Sequence, residues 1–171
     1  GLPKADKMET VIQKCVEIGV KRIVPVITAR TVVKLAGTKE IASKTARWRR
    51  IALEAAKQCD RGIIPKVGEP VGFAAALEMA GDCDLKIIPY EEDREGSLKE
   101  LLRQYGGRSE AGQRRIAILI GPEGGFEPSE VEEAARSGFC PVTLGPRILR
   151  TETAGMAVAT IVMYEIGDMG K

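Results

Sequence analysis

Three short stretches of this sequence bring together residues able to grip a small ligand. They are Pro89-Tyr90-Glu91-Glu92, Gly121-Pro122-Glu123-Gly124-Gly125-Phe126 and Leu144-Gly145-Pro146-Arg147-Ile148-Leu149-Arg150. Each follows an apolar run, and the last two begin with a strand end leading into Gly-Pro. Glycine lets the main chain approach a ligand closely, and proline removes a donor and fixes the turn. Gly-Pro after a strand is more often only a turn, so the pattern by itself is weak. A phosphate or dinucleotide site is the first rival. Neither Gly-x-Gly-x-x-Gly nor Gly-x-x-x-x-Gly-Lys-Ser/Thr occurs, however, and Glu123 would repel a phosphate cluster. A carboxylate in such a loop suits a cation, an amine or a hydroxyl, and exposed amides and carbonyls can hold an adenine and a ribose. These loops therefore point to a nucleoside ligand with a sulfonium and an amino-acid tail, and no phosphate.

The elements that must hold these loops alternate along the chain. Asp6-Lys7-Met8-Glu9 has the form of a capping box. Met8, Val11, Ile12, Cys15 and Ile18 follow at helical spacing, with Gly19 at the C′ position. Arg22 to Ile27 reads as one buried strand, and Lys39 to Cys59 as a long helix. Ile41, Trp48, Ile51, Ala52, Ala55 and Ala56 mark its inner side, and Trp48 shares the core phase instead of forming a stacking platform. Gly68 to Gly72 is a turn-rich connection, and Phe73–Met79 a short helix. Strands are expected at Leu85–Ile88, Arg115–Ile120 and Phe139–Leu144. Helices are expected at Leu98–Tyr105, at Ser129–Arg136 with a Ser129/Glu132 capping box, and at Thr153–Ile166; Gly106 to Gly112 is a polar loop. Strand–helix alternation implies an α/β fold, a mostly parallel sheet flanked by helices. In such sheets ligands bind beyond the carboxyl ends of the strands, where the three loops fall. With 171 residues and no linker composition, one domain over 1–171 is expected.

Composition narrows the chemistry further. Four scattered cysteines, no CxxC and no histidine argue against a structural metal site, and the cysteines read as small core residues in a reducing compartment. No signal segment or membrane-length apolar run is present, so a cytoplasmic, soluble protein is expected. The net charge of +2 hides a division: residues 1–66 carry 15 Lys/Arg against 6 Asp/Glu, and residues 67–171 carry 11 against 18. Such asymmetry suits a polyanion partner, or simply solvated helix faces. The long helix carries a basic outer side in Lys44, Arg47, Arg50, Lys57 and Arg61, with Arg30 and Lys34 nearby in sequence.

Three longer stretches carry a resemblance. They are Lys7-Met8-Glu9 through Gln13-Lys14-Cys15-Val16-Glu17-Ile18-Gly19-Val20, Trp48 through Cys59, and Gly121-Pro122-Glu123-Gly124-Gly125 followed by Leu144 through Ala154. Together they resemble the RsmE family, S-adenosylmethionine-dependent methyltransferases that modify N3 of a uridine in small-subunit ribosomal RNA. The resemblance implies a SPOUT fold whose C-terminal segment threads a trefoil knot, an exception to the rule against knots. It implies that the knot binds S-adenosylmethionine through Tyr90, Glu91, Ile120, Gly121, Pro122, Glu123, Gly124, Leu144, Gly145, Ile148, Leu149 and Arg150, with Thr153 and Ala154 opening the last helix. It also implies a homodimer paired through that helix. Met156, Val158, Ile161, Val162 and Ile166 agree, since they leave it little polar face. Family members carry an N-terminal PUA-like domain, and this chain begins after the point where that domain would end.

The implied reaction needs the weakly acidic N3 proton removed or a uridine anion stabilised. Glu123 and Glu152 are the candidate bases, and Arg147 and Arg150 the candidate cations. Each has a plainer role: Glu152 as a helix cap, Arg150 as a partner of Glu123 or Glu152, Glu123 as a closure of its own loop. The arginines are the stronger candidates. Arg30, Lys34, Lys44, Arg47, Arg50, Lys57 and Arg61 would give a salt-sensitive RNA platform, with little base stacking at 4% aromatic content. The alternatives are another SPOUT enzyme acting on a ribose 2′-hydroxyl or a tRNA base, and a non-catalytic RNA-binding or dimerisation module.

Overall fold

The computed structural model describes residues 1–92, 96–106 and 114–170. Helix α1 (Lys7–Ile18) packs on α2 (Gly37–Gln58) and on α6 (Thr151–Glu165). Between them lie four two-residue strands, β1 (Arg22–Ile23), β2 (Val26–Ile27), β3 (Lys66–Val67) and β4 (Val71–Gly72). β1 pairs with β3 and β2 with β4, both in parallel. The expected single strand over Arg22 to Ile27 is thus divided. Pro25 has no N–H for a ladder; its carbonyl takes the Val71 amide at 3.0 Å, so the chain changes partners there. Strands of two residues are below what periodicity can reveal, and β3 and β4 fall around the expected turn at Gly68 to Gly72.

The remaining elements follow the alternation. α3 (Phe73–Met79) leads to β5 (Leu85–Pro89), α4 (Leu98–Gly106), β6 (Ile116–Ile118), α5 (Pro128–Arg136), β7 (Cys140–Val142) and α6. β5 is the central strand, with β6 and β7 parallel on either side. Parallel pairing puts the carboxyl ends of all three strands at one edge, where their following loops must meet. Within the expected loop from Gly106, residues 107–112 lie outside the described residues.

Three apolar clusters hold the layers. α1 and α2 close over Ile12, Val16, Trp48 and Ala52, and Trp48 is buried as its phase requires. A second cluster places Ile88, Leu119, Phe126, Val131 and Phe139 between the central strands and α3 and α5. On the opposite face, Ile87, Leu102, Val142, Val158 and Val162 join β5 and β7 to α4 and α6. Val158 and Val162, expected in a dimer contact, are therefore core residues of this chain, whereas Ile161 and Tyr164 are 40% and 65% exposed.

Helix ends depart from the expected caps. Asp6 caps α1 without a side-chain hydrogen bond, since its own carbonyl takes the Glu9 amide at 3.0 Å, and the Glu9 carboxylate turns to Arg47 at 2.7 Å. The α5 box involves Glu127 and Glu130, not Ser129 and Glu132. The Glu130 carboxylate accepts from the Glu127 amide at 3.0 Å, and Pro128 fills the first turn, where its missing donor costs nothing. The last helix opens at Thr151, two residues before the expected start, with Arg150 as its N-cap.

Candidate functional site

The loops following β5, β6 and β7 converge on one open cleft of about 770 Å³, a size suited to a small organic ligand. Tyr90, Glu91, Ile120, Gly121, Pro122, Glu123, Leu144, Gly145, Ile148, Leu149, Arg150 and Ala154 all line it, as does Arg147. Three residues expected at the site do not line it. Gly124 lies against Arg30, Thr153 is exposed, and Glu152 is partly buried beside Lys7.

The Gly121–Phe126 loop is fixed from two sides. Phe126 is 2% exposed and packs tilted against Phe73, with ring centroids 6.0 Å apart. The Gly125 amide donates to the Pro122 carbonyl at 2.9 Å, closing a turn that leaves Gly125 at φ 68°. The backbone hand at Gly125 favours glycine, and a Cβ there would stand 2.7 Å from the Glu91 carboxylate and push it aside. Arg30 clamps the outer side, donating to Glu127 and to the Gly124 carbonyl, each at 2.8 Å. The neighbouring Ala29 amide donates to Glu130 at 2.8 Å, which ties the same segment to the start of α5. Arg30 thus holds the loop instead of standing free for RNA.

The acidic candidates are both engaged. Glu123 accepts from the Lys4 amide at 3.0 Å, and its Oε1 lies 3.2 Å from Lys7 Nζ. Burial raises the Glu123 pKa, but its own amide, the Lys4 amide and the Lys7 ammonium more than offset this and hold it below the ordinary carboxylate value. It is ionised and correspondingly weak as a base. Glu152 does not cap α6: its Oε2 is buried without a hydrogen bond and lies 3.4 Å from the same Lys7 ammonium. Across the cleft, Tyr90 donates to Glu92 at 2.8 Å, and burial followed by that carboxylate pushes the phenol up to about 12.

The basic candidates at the cleft are free. Among the described residues, the side chains of Arg147 and Arg150 are exposed and make no hydrogen bond or ion pair. Ile148 between them is 85% exposed, so this part of the loop presents its side chains outward, while Leu144 at its start packs on the core. Lys7, which sequence reasoning placed only in a helix start, also lines the cleft. The one signal that could have found it is a lysine in the first turn of a helix, where the dipole disfavours a cation.

The basic face of α2 is less uniform than its sequence. Arg47 pairs with Glu9, Lys44 with Glu40 at 3.6 Å and Lys57 with Glu54 at 3.1 Å, all near the surface. Such exposed pairs contribute little stability and exchange readily with phosphate. Arg61 differs. Its guanidinium donates to the Val16 and Val20 carbonyls at 2.8 and 2.9 Å and to Gly19 at 3.2 Å, closing the end of α1. Arg50 and Lys34 remain exposed without a partner among the described residues. No group of three His, Cys, Asp or Glu able to hold a metal occurs among the described residues. Nor is any helix there long and apolar enough to cross a membrane.

Comparison with known proteins adds an independent line. A family model described as RNA methyltransferase domain matches residues 1–163. The chain is 37% identical over 166 residues to ribosomal RNA small subunit methyltransferase E of Bacillus subtilis (strain 168), covering 96% of this chain and 64% of that protein. The crystal structure of a ribosomal RNA small subunit methyltransferase E from Neisseria gonorrhoeae bound to S-adenosyl methionine superposes with a TM-score of 0.83. That match has 34% identity and covers 99% of this chain and 65% of the other. A putative methyltransferase from Legionella pneumophila, solved in complex with the bound cofactor SAM, gives 0.82 at 33% identity over 95% of this chain and 62% of the other. The chain thus spans just under two thirds of the length of these relatives.

Proposed function

The chain belongs to the RNA methyltransferase domain family, and from that premise we propose that it transfers a methyl group from S-adenosylmethionine to N3 of a uridine in small-subunit ribosomal RNA. The observation that carries this reading is the convergence of three strand-end loops on one cleft whose rim bears two unpaired arginines. The residues present fit the cofactor. The cleft has the volume for it, Gly121, Gly125 and Gly145 leave main-chain groups accessible, and Glu91 offers a carboxylate for an amine or hydroxyl. Relatives with the same architecture and at least 33% identity are solved with this cofactor bound.

S-adenosylmethionine supplies, when bound, a methyl group on a sulfonium. The chain's own residues do the rest. Main-chain groups of the loops at Tyr90–Glu91, Ile120–Glu123 and Leu144–Arg150 hold the adenosine, with Ala154 closing the inner wall. Arg147 and Arg150 face the acceptor and lower the cost of the uridine anion left when N3 gives up its proton to solvent water at the open cleft. Glu123, its pKa lowered beside Lys7, is a poorer proton acceptor than a free carboxylate, so the arginines carry more of the chemistry. Exact placement of donor and acceptor supplies the remainder, as no covalent intermediate is needed. A C-terminal trefoil knot through the β5, β6 and β7 loops is part of this reading, as is one catalytic domain over the whole chain. A homodimer through Ile161 and Tyr164 of α6 is supported by their exposure. Arg50, Lys34 and the exchangeable Lys44, Arg47 and Lys57 hold the RNA backbone, and ribosomal RNA as substrate puts the protein in the cytoplasm.

The test is calorimetric titration with S-adenosylmethionine, followed by mass mapping of methylated uridine after incubation with small ribosomal subunits. Binding and a single modified uridine are expected. A folded chain that binds no S-adenosylmethionine would overturn the enzymatic reading and leave an RNA-binding module.

A further inference from the structure

Lys7 stands where helix physics opposes it. It is the first residue of α1, and a cation there meets the positive end of the helix dipole. Its side chain nevertheless leaves the helix to reach two carboxylates from distant parts of the chain. Nζ lies 3.2 Å from Glu123 in the loop after β6 and 3.4 Å from Glu152 in the first turn of α6. Glu152 Oε2 is buried with no hydrogen bond, so the ammonium is the charge that compensates it among the described residues. The Glu152 side chain is 22% exposed, so loss of that cation would leave a partly buried carboxylate uncompensated. The adjoining Lys4 amide donates to Glu123 at 3.0 Å, which makes the contact a stitch of two points and not a chance approach of one long side chain. Lys7 also lines the cleft itself.

We propose that Lys7 is a positioning residue of the methyl-transfer cleft: it fixes the Glu123 loop against the first turn of α6 and occupies both carboxylates, so that neither is available to Arg147 or Arg150. This rests on the cofactor reading above. The arrangement accounts for the two rim arginines having no partner although Glu123 shares their cleft and Glu152 lies beside Lys7. It also accounts for the lowered pKa of Glu123, which desolvation alone would raise. The charged groups around Lys7 are Glu123 and Glu152 in direct contact, Lys4 on its own segment, the Gly1 ammonium, whose pKa burial lowers to about 5 and which Glu123 attracts, and Glu91, Arg147 and Arg150 lining the cleft.

The test is calorimetric titration of S-adenosylmethionine from pH 4 to 8 into the wild type, Lys7→Met and Lys7→Arg, with thermal unfolding of each. Lys7→Met is expected to bind about tenfold more weakly at pH 7, since a loop displaced by about an ångström costs that much or more. Its acid limb should move up, because Glu123 loses the ammonium that helps hold its pKa below the ordinary value. Lys7→Arg, which keeps the charge, should bind within about twofold of the wild type with the acid limb in place. Wild-type binding with an unchanged Lys7→Met at every pH overturns the role of Lys7 and leaves the cofactor reading standing. Equal losses in both variants that follow their loss of thermal stability overturn it too, as a merely structural contact. A wild type that does not bind overturns the cofactor reading and this inference with it.

Discussion

A side chain at Gly125 meets two obstacles at once. The backbone is at φ 68°, and the Glu91 carboxylate occupies the space a Cβ would take. Gly145 has the same backbone hand at φ 96° but open space around it. Gly145→Ala should therefore cost only about 1 kcal/mol of backbone strain, whereas Gly125→Ala should cost more and weaken S-adenosylmethionine binding by about tenfold by displacing Glu91. Denaturant midpoints and calorimetry on the two variants separate strain from collision. Glu123 gives a pH dependence of known sign. Its folded pKa lies below the ordinary 4.5, so its interactions add stability above that value, and this is lost as pH falls through the lowered folded value. Glu123→Gln should be less stable than the wild type at pH 7, and the difference should shrink as pH falls through the lowered folded value, as read by urea unfolding across the acid range. At this scale the loop residues were legible because glycine, proline and arginine declare themselves by type. Lys7 was not, because it lies more than 110 residues from both carboxylates it serves, and only packing of α1 on α6 brings them together.

Between residue and fold, the two kinds of arginine on and after α2 have opposite duties. Arg61 satisfies three carbonyls at the end of α1, where a cation is also favoured by the dipole. Its replacement by alanine should destabilise the protein by about 2 kcal/mol, the range for hydrogen bonds to a charged donor. Arg50→Ala should stay within about 0.5 kcal/mol of the wild type, as surface changes do. Chemical denaturation of both variants decides between these outcomes. The sequence places Arg61 in register with the basic face, and nothing in the spacing marks it as a cap, because its acceptors belong to another helix. The same holds for the strands. β5 was legible as an apolar run, but β1 to β4 are two residues each, shorter than any period, and are defined only by their partners. Helix termini misled for a related reason: the Glu9 carboxylate turns to Arg47, whereas Glu127 keeps its capping box although Arg30 reaches it, and spacing along the chain shows neither contact.

Across the whole molecule, the excess of cations in residues 1–66 is partly consumed internally, by Glu9, Glu123, Glu127 and the carbonyls of α1. RNA affinity should therefore depend on fewer phosphate contacts than the 15 Lys/Arg of that segment suggest. Filter binding over a range of salt should show a log–log slope reduced by about one in Arg50→Ala and unchanged in Arg61→Ala. Alternation of strands and helices made the parallel architecture legible in advance, since it is a property of order along the chain. The division into two small two-stranded sheets and one of three strands was not, since it depends on where Pro25 interrupts a ladder. The strand order β6-β5-β7 has a further result for how this protein is made. The central strand is synthesised before both of its neighbours, and 53 residues separate Pro89 from its partner Val142 at the β7 edge. At about 5–20 residues per second, translation leaves that apolar strand with a bare edge for roughly 3–10 s. During that interval α3 can cover Ile88 and α4 can cover Leu85 and Ile87, but the strand's open edge has no native partner, and the nascent chain is at its most prone to pair with a neighbour.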